Sequence, residues 1–126
     1  MAPLSASFTK IGALYGAAGV MLGAFGAHGL QTRTTEAKLI KNWETASHYL
    51  LAHGIALVAI STHPRFTRSY APPLIALGTA MFSGSIYGLV MARLRGVEGA
   101  GQVLGPITPL GGTLIIAGWV SLLLAP

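Results

Sequence analysis

Four stretches of this chain, Ile11–Thr32, Thr45–Pro64, Ser69–Ala92 and Gly99–Pro126, contain no Asp, Glu, Lys or Arg. Each is at least 20 residues long, and a helix of about 20 apolar residues crosses the roughly 30 Å hydrocarbon core of a bilayer. They occupy most of the 126 residues, so little remains from which to build a water-soluble domain. The expected fold is all-α: one integral membrane domain over residues 1–126, a bundle of four transmembrane helices at about 8–30, 45–62, 72–92 and 104–124.

Composition agrees with a chain solvated by lipid. Charged residues make up 9% of it, against about 25% in an ordinary soluble domain. The 17 glycines sit mostly inside the apolar stretches, where in water each would weaken a helix by about 1 kcal/mol relative to alanine. In a membrane the backbone has no water to bond with, so helices persist and glycine lets them approach closely. With no cysteine there is no disulfide, thiolate metal site or cysteine catalysis.

The net charge of +5 comes from basic residues at or between the ends of the apolar stretches. Lys10, Arg33, Lys38, Lys41, Arg65, Arg68, Arg93 and Arg95 are placed to meet phospholipid headgroups, cardiolipin among them. No basic helical face or stacking platform accompanies them, so nucleic acid is not an expected partner. The first apolar stretch exceeds the h-region of a secretory signal. Met1–Lys10 carries a single basic residue, too few for a cleavable transit peptide, so an import signal would be internal. Lys and Arg number five on the two-loop side (Arg33, Lys38, Lys41, Arg93, Arg95) and three on the side of the termini, which places those loops toward the cytoplasm or matrix.

In the first span Gly12, Gly16, Gly19, Gly23 and Gly26 recur at 4-3-4-3 spacing along one face, a groove suited to helix packing. In the third, Ala76, Ala80, Gly84, Gly88 and Ala92 recur every four residues. The first and third helices are therefore expected to form the closely packed pair. Gln31–Glu44 is polar with an apolar side at Leu39, Ile40 and Trp43. It predicts an interfacial helical extension leading into helix 2, one helix from about Glu36 to Ser61, capped by Thr34 or Thr35. Trp43 then lies at headgroup level. Pro72 and Pro73 open the third span, where a missing N–H costs little. Pro106 and Pro109, with Gly105, Gly111 and Gly112, predict irregular first turns for the fourth. Trp119, deep in that helix, faces lipid or a neighbouring helix.

Polar groups inside spans are the usual pointer to function in such proteins. His28, Glu44, His48, Tyr49 and His53 all lie toward one membrane face. Glu44 and His48 share a helical face at i, i+4 and could pair. His48 and His53 are separated by about 140° around a helix, which argues against a one-helix metal or haem site. Hydrogen bonding between helices 1 and 2 is the leading reading of this group, with ligand or metal binding and proton transfer as alternatives. A proton relay lacks a deep acid, since the chain has no Asp. A hydrolytic triad lacks a nucleophile motif beside Glu36, Glu44 or Glu98. No glycine cluster follows the phosphate-loop pattern. No catalytic, metal or cofactor residues are assigned.

Four elements occur in order: Gly23-Ala24-Phe25-Gly26-Ala27-His28-Gly29-Leu30; Trp43-x-Thr45-Ala46-x-x-Tyr49-x-x-x-His53-x-x-Ala56-Leu57; Phe82-Ser83-Gly84-Ser85-Ile86-Tyr87; and Gly105-Pro106-Ile107-Thr108-Pro109-Leu110-Gly111-Gly112. With them the chain resembles, over about residues 8–125, the small membrane-protein family known as domain of unknown function 423. That family includes the YgdD-like and transmembrane protein 256-like proteins. The resemblance implies four spans and no established catalytic residues. One branch, the NUXM-type accessory subunit of fungal respiratory complex I, is similar in size and basicity, although the Arg93–Gly101 loop is longer than in bacterial members. That branch implies a non-catalytic accessory subunit of a mitochondrial inner-membrane respiratory complex, with other membrane subunits and phospholipids as partners. The alternatives are a stand-alone small transporter or channel, a haem- or quinone-binding membrane protein, and a bacterial plasma-membrane location.

Overall fold

The computed structural model describes residues 4–125. They form α1 (Leu4–Ala27), a 3-10 turn (Leu30–Thr32), α2 (Ala37–Ser61), the short α3 (Pro64–Thr67), α4 (Ala71–Leu94), the short α5 (Ala100–Leu104) and α6 (Ile107–Leu124). No strand occurs among the described residues. Among the described residues three segments are long and apolar enough to cross a membrane: Leu4–Thr32, Ala71–Leu94 and Ala100–Leu124. The remaining long helix, α2, carries Lys38, Lys41, Glu44, His48 and His53, which lower its apolar character.

The polar connection between the first two apolar stretches does run straight into the second as a single helix. Glu36 takes the N-cap position in extended conformation (φ −68°, ψ 107°), in place of the expected Thr34 or Thr35. Thr34 instead accepts a 3.1 Å hydrogen bond from the Glu36 N–H, a local turn that aims the chain into α2. Pro72 and Pro73 occupy the first turn of α4, where the helix has no intrahelical acceptor for their missing N–H groups. At its other end Gly96 adopts φ +66°. There Val97 N–H bonds to Ala92 O at 2.9 Å and Gly96 N–H to Arg93 O at 3.3 Å, the pairing by which a glycine in the left-handed region closes a helix. Irregular backbone ahead of α6 is confined to Gly105 and Pro106. Pro109, Gly111 and Gly112, expected in distorted turns, lie within regular helix.

The long helices pack as α1 on α2, α2 on α4, and α4 on α6. Helices α1 and α4, which their small-residue stripes suggested as the tight pair, touch only slightly. Short connections make consecutive helices antiparallel neighbours, and α2 thereby stands between α1 and α4. The two outer hairpins share one mode of crossing. A Cβ placed on Gly54 would lie 2.8 Å from both Gly12 O and Gly16 N; one placed on Gly111 would lie 2.7 Å from Gly78 O and 2.5 Å from Phe82 N. In each hairpin a glycine rests on the carbonyl of the partner glycine and on the amide four residues further along. Such backbone contact is open only to residues without side chains. The halves α1–α2 and α4–α6 thus repeat a geometry that their residue identities do not reveal.

Two apolar clusters close the ends of the bundle. Leu57, Ile60, Ala71, Ile75 and Ala76 form one, flanked by Phe8, Ile11 and Tyr15. Leu30, Trp43 and Val90 form the other, with Phe25, Tyr87 and Met91 around them. Large apolar side chains also cover the outside, among them Leu14, Met21, Ile55, Leu77, Ile116 and Leu123. A water-soluble monomer rarely exposes so continuous an apolar surface; lipid accepts it.

Candidate functional site

The polar residues of α2 divide into an inward and an outward set. Trp43, Ala46, Ser47, Leu50, His53, Gly54 and Leu57 follow the helical period and are buried. Glu44, His48 and Tyr49 lie on the opposite, exposed side.

Inward polar side chains bind neighbouring helices. Trp43 Nε1 donates to Leu22 O of α1 at 2.7 Å. Ser47 Oγ and Tyr87 Oη of α4 share a 2.8 Å bond, and Ser83 Oγ of α4 donates to Ala46 O at 2.8 Å. At the opposite end Tyr15 Oη donates to Ala76 O at 2.6 Å, and Thr9 and Ser61 pair at 2.6 Å. Ser85 and Thr108 join α4 to α6 through their hydroxyls. Sequence reasoning missed these partners because each pair is far apart in the chain.

His53 has both ring nitrogens engaged. Nδ1 lies 2.8 Å from Tyr49 O, and Nε2 accepts a 3.0 Å bond from Trp119 Nε1 of α6. The Tyr49 ring stacks on the imidazole and also meets Phe82 at 4.6 Å between centroids. Neither nitrogen is left to bind iron or another metal. His28 lies exposed in the turn after α1. Among the described residues no three His, Asp or Glu side chains gather in a way that could hold a metal ion.

Glycine positions of α1 contribute unequally. Gly12 and Gly19 are buried against α2, at Gly54 and Val58 and at Leu51 respectively, while Gly26 faces the Trp43 indole. Gly23 meets Ser47 loosely, and a Cβ on Gly16 would find open space. In α4, Gly84 also faces open space and Gly88 faces Leu104. The tight contact of that helix is at Gly78, outside the four-residue series.

Two grooves flank the outer ridge of α2. One, of about 590 Å³, lies between α2 and α6 and is walled by Tyr49, Ala52, His53, Ile116 and Trp119. The other, of about 450 Å³, lies between α1 and α2 with Gly19, Gly23 and Gly26 along its floor. Gln31, Glu44 and His48 line the latter at the end near the 3-10 turn. The ion pair found among the described residues joins Arg93 and Glu36 at 3.9 Å, on exposed side chains. Glu44 and His48, expected as a possible pair, line the same groove without forming one.

Residues 22–112 match the family described as "Protein of unknown function (DUF423)". That match covers well over half of the chain. The chain belongs to this family. Among its relatives is a UPF0382 membrane protein of Schizosaccharomyces pombe, 42% identical over 115 residues, covering 90% of this chain and 96% of that protein. UPF0382 membrane proteins of Staphylococcus aureus and Staphylococcus haemolyticus are 41% and 39% identical over 121 residues, each match covering 94% of this chain and 93% of the relative. No solved structure matches. The names, together with the apolar helices, make this DUF423 chain a membrane protein. Close bacterial relatives conflict with a role confined to mitochondria, because nearly the full chain length is shared with cells that lack the organelle.

Proposed function

We propose that this DUF423 protein is a non-catalytic, four-span component of a larger membrane assembly, contributing a preformed helical wall. The observation behind this reading is the use of its interior polar groups. Trp43, Ser47, His53, Ser83, Ser85 and Tyr87 all bond to a neighbouring helix or to a side chain on one, as packing contacts between helices do. In bilayers such bonds contribute about 0.6 kcal/mol each on average, enough collectively to fix one arrangement.

The same facts support reading α2 as a further span. Its 25 residues extend about 37 Å at 1.5 Å per residue, longer than the hydrocarbon core. His53 and Ser47 turn inward, and Glu44, Lys41 and Lys38 crowd its first turns, where headgroups accept charge. In a mitochondrion-bearing source, the resemblance to the NUXM type supports an accessory subunit of respiratory complex I in the inner membrane, aiding assembly and lipid packing. The bacterial relatives would fill the analogous packing role in a plasma membrane.

Mild-detergent extraction followed by blue-native electrophoresis of the tagged chain tests the assembly role. Migration with a large complex, and loss of that complex's stability on deletion, is the expected result. Recovery solely as a free small species would sink the subunit reading.

A further inference from the structure

We infer that the groove between α1 and α2 is a binding site for a phospholipid with a primary-amine headgroup, the phosphatidylethanolamine class. The inference depends on a membrane location and not on the accessory role. The groove joins two environments. At one end Glu44 and His48 are exposed beside Gln31 of the 3-10 turn. From there the groove runs along α2 to Leu51, seven residues further on and about 10 Å deeper. Along that path its floor is glycine, Ser47 lines it part-way, and Val20 and Leu51 lie toward the deep end.

Charge complementarity selects the headgroup. Glu44 is the single acidic residue lining the groove, and no cation pairs with it among the described residues. Of the chain's other carboxylates, Glu36 pairs with Arg93 and Glu98 lies in the exposed α4–α5 loop. A carboxylate at headgroup level accepts hydrogen bonds from an ammonium, and charge-assisted bonds are the stronger kind. A trimethylammonium head has no N–H to donate, so choline lipids lose that contact. An acyl chain follows the glycine floor. Space is available: a Cβ on Gly23 would meet only the Ser47 Cβ, at 3.8 Å.

The test uses the full chain, delipidated in mild detergent, with thermal unfolding followed as phosphatidylethanolamine, phosphatidylcholine or phosphatidylglycerol is added. Phosphatidylethanolamine should bind about tenfold tighter than phosphatidylcholine, the scale of one charge-assisted hydrogen bond. Glu44→Gln should reduce that preference to within about twofold, without lowering the lipid-free transition. Gly23→Leu, which fills the groove, should abolish the stabilisation by phosphatidylethanolamine. Chainless glycerophosphoethanolamine should give no shift. Equal affinity for the three lipids, a preference for the anionic one, a full shift with the chainless headgroup, or an unchanged preference in Glu44→Gln would each overturn the assignment. If Gly23→Leu does not fold, the Glu44→Gln comparison decides alone.

Discussion

Trp119 of α6 donates its indole N–H to Nε2 of His53 on α2 at 3.0 Å, and so fixes the tautomer of the imidazole. With Nε2 accepting, the ring proton resides on Nδ1, which donates to Tyr49 O at 2.8 Å. The bond links two helices that do not otherwise pack along their lengths. It ties the end of the chain to the helix at the centre of the bundle.

Removing the indole donor while keeping an aromatic ring isolates that bond. Trp119→Phe should cost about 0.6 kcal/mol and at most about 1.7 kcal/mol in detergent unfolding, the range for such bonds in membranes. Its effect should largely vanish in a His53→Phe background. Additive losses in the double mutant would show that the two side chains act independently.

The hairpin crossings predict a sharp contrast between glycines. Gly54→Ala and Gly111→Ala place a methyl within 2.8 Å of partner backbone and should destabilise by about 1–3 kcal/mol. Gly84→Ala places it in open space and should be neutral or slightly stabilising. Thermal unfolding of the three variants in one detergent checks this, and equal losses at all three positions would contradict the crossing.

Trp43 anchors the end of the bundle nearest the 3-10 turn. It bonds to Leu22 O and lies 5.3 Å from the Phe25 ring and 4.5 Å from that of Tyr87. Trp43→Ala should cost about 3–5 kcal/mol, while Trp43→Phe, losing chiefly the N–H, should cost about 1 kcal/mol. Equilibrium unfolding separates the ring's packing from its hydrogen bond.

Thr79 is fully buried in α4, and its hydroxyl has no hydrogen-bond partner among the described residues. Thr79→Val keeps the branched shape and removes the unpaired oxygen, so it should be neutral or stabilise by up to about 1 kcal/mol. A loss beyond about 1 kcal/mol in the same unfolding assay would mean that the hydroxyl has a partner in the membrane.

The order of helices was legible in the sequence because their cause is local. Uncharged runs of about 20 residues, Pro72-Pro73 at a helix start and the polar Gln31–Glu44 segment with its apolar side all act within a few turns. The observed α2 and α4 begin and end within about two residues of the expected helices, while α1 starts four residues and ends three residues earlier than expected. Which helices would touch was not local. The spacing of Gly12 through Gly26 marked a packing face without naming the helix that fills it. That face met α2, and only slightly α4, because a short turn returns the chain beside the helix just completed. Likewise His53 carried no sign of Trp119, 66 residues away. A hydrogen bond between distant side chains depends on the register of two packed helices, and register is set by backbone contacts such as Gly12 on Gly54 and Gly78 on Gly111. Membership of the bilayer was thus decided by composition, and the pairing of polar groups within it by tertiary packing.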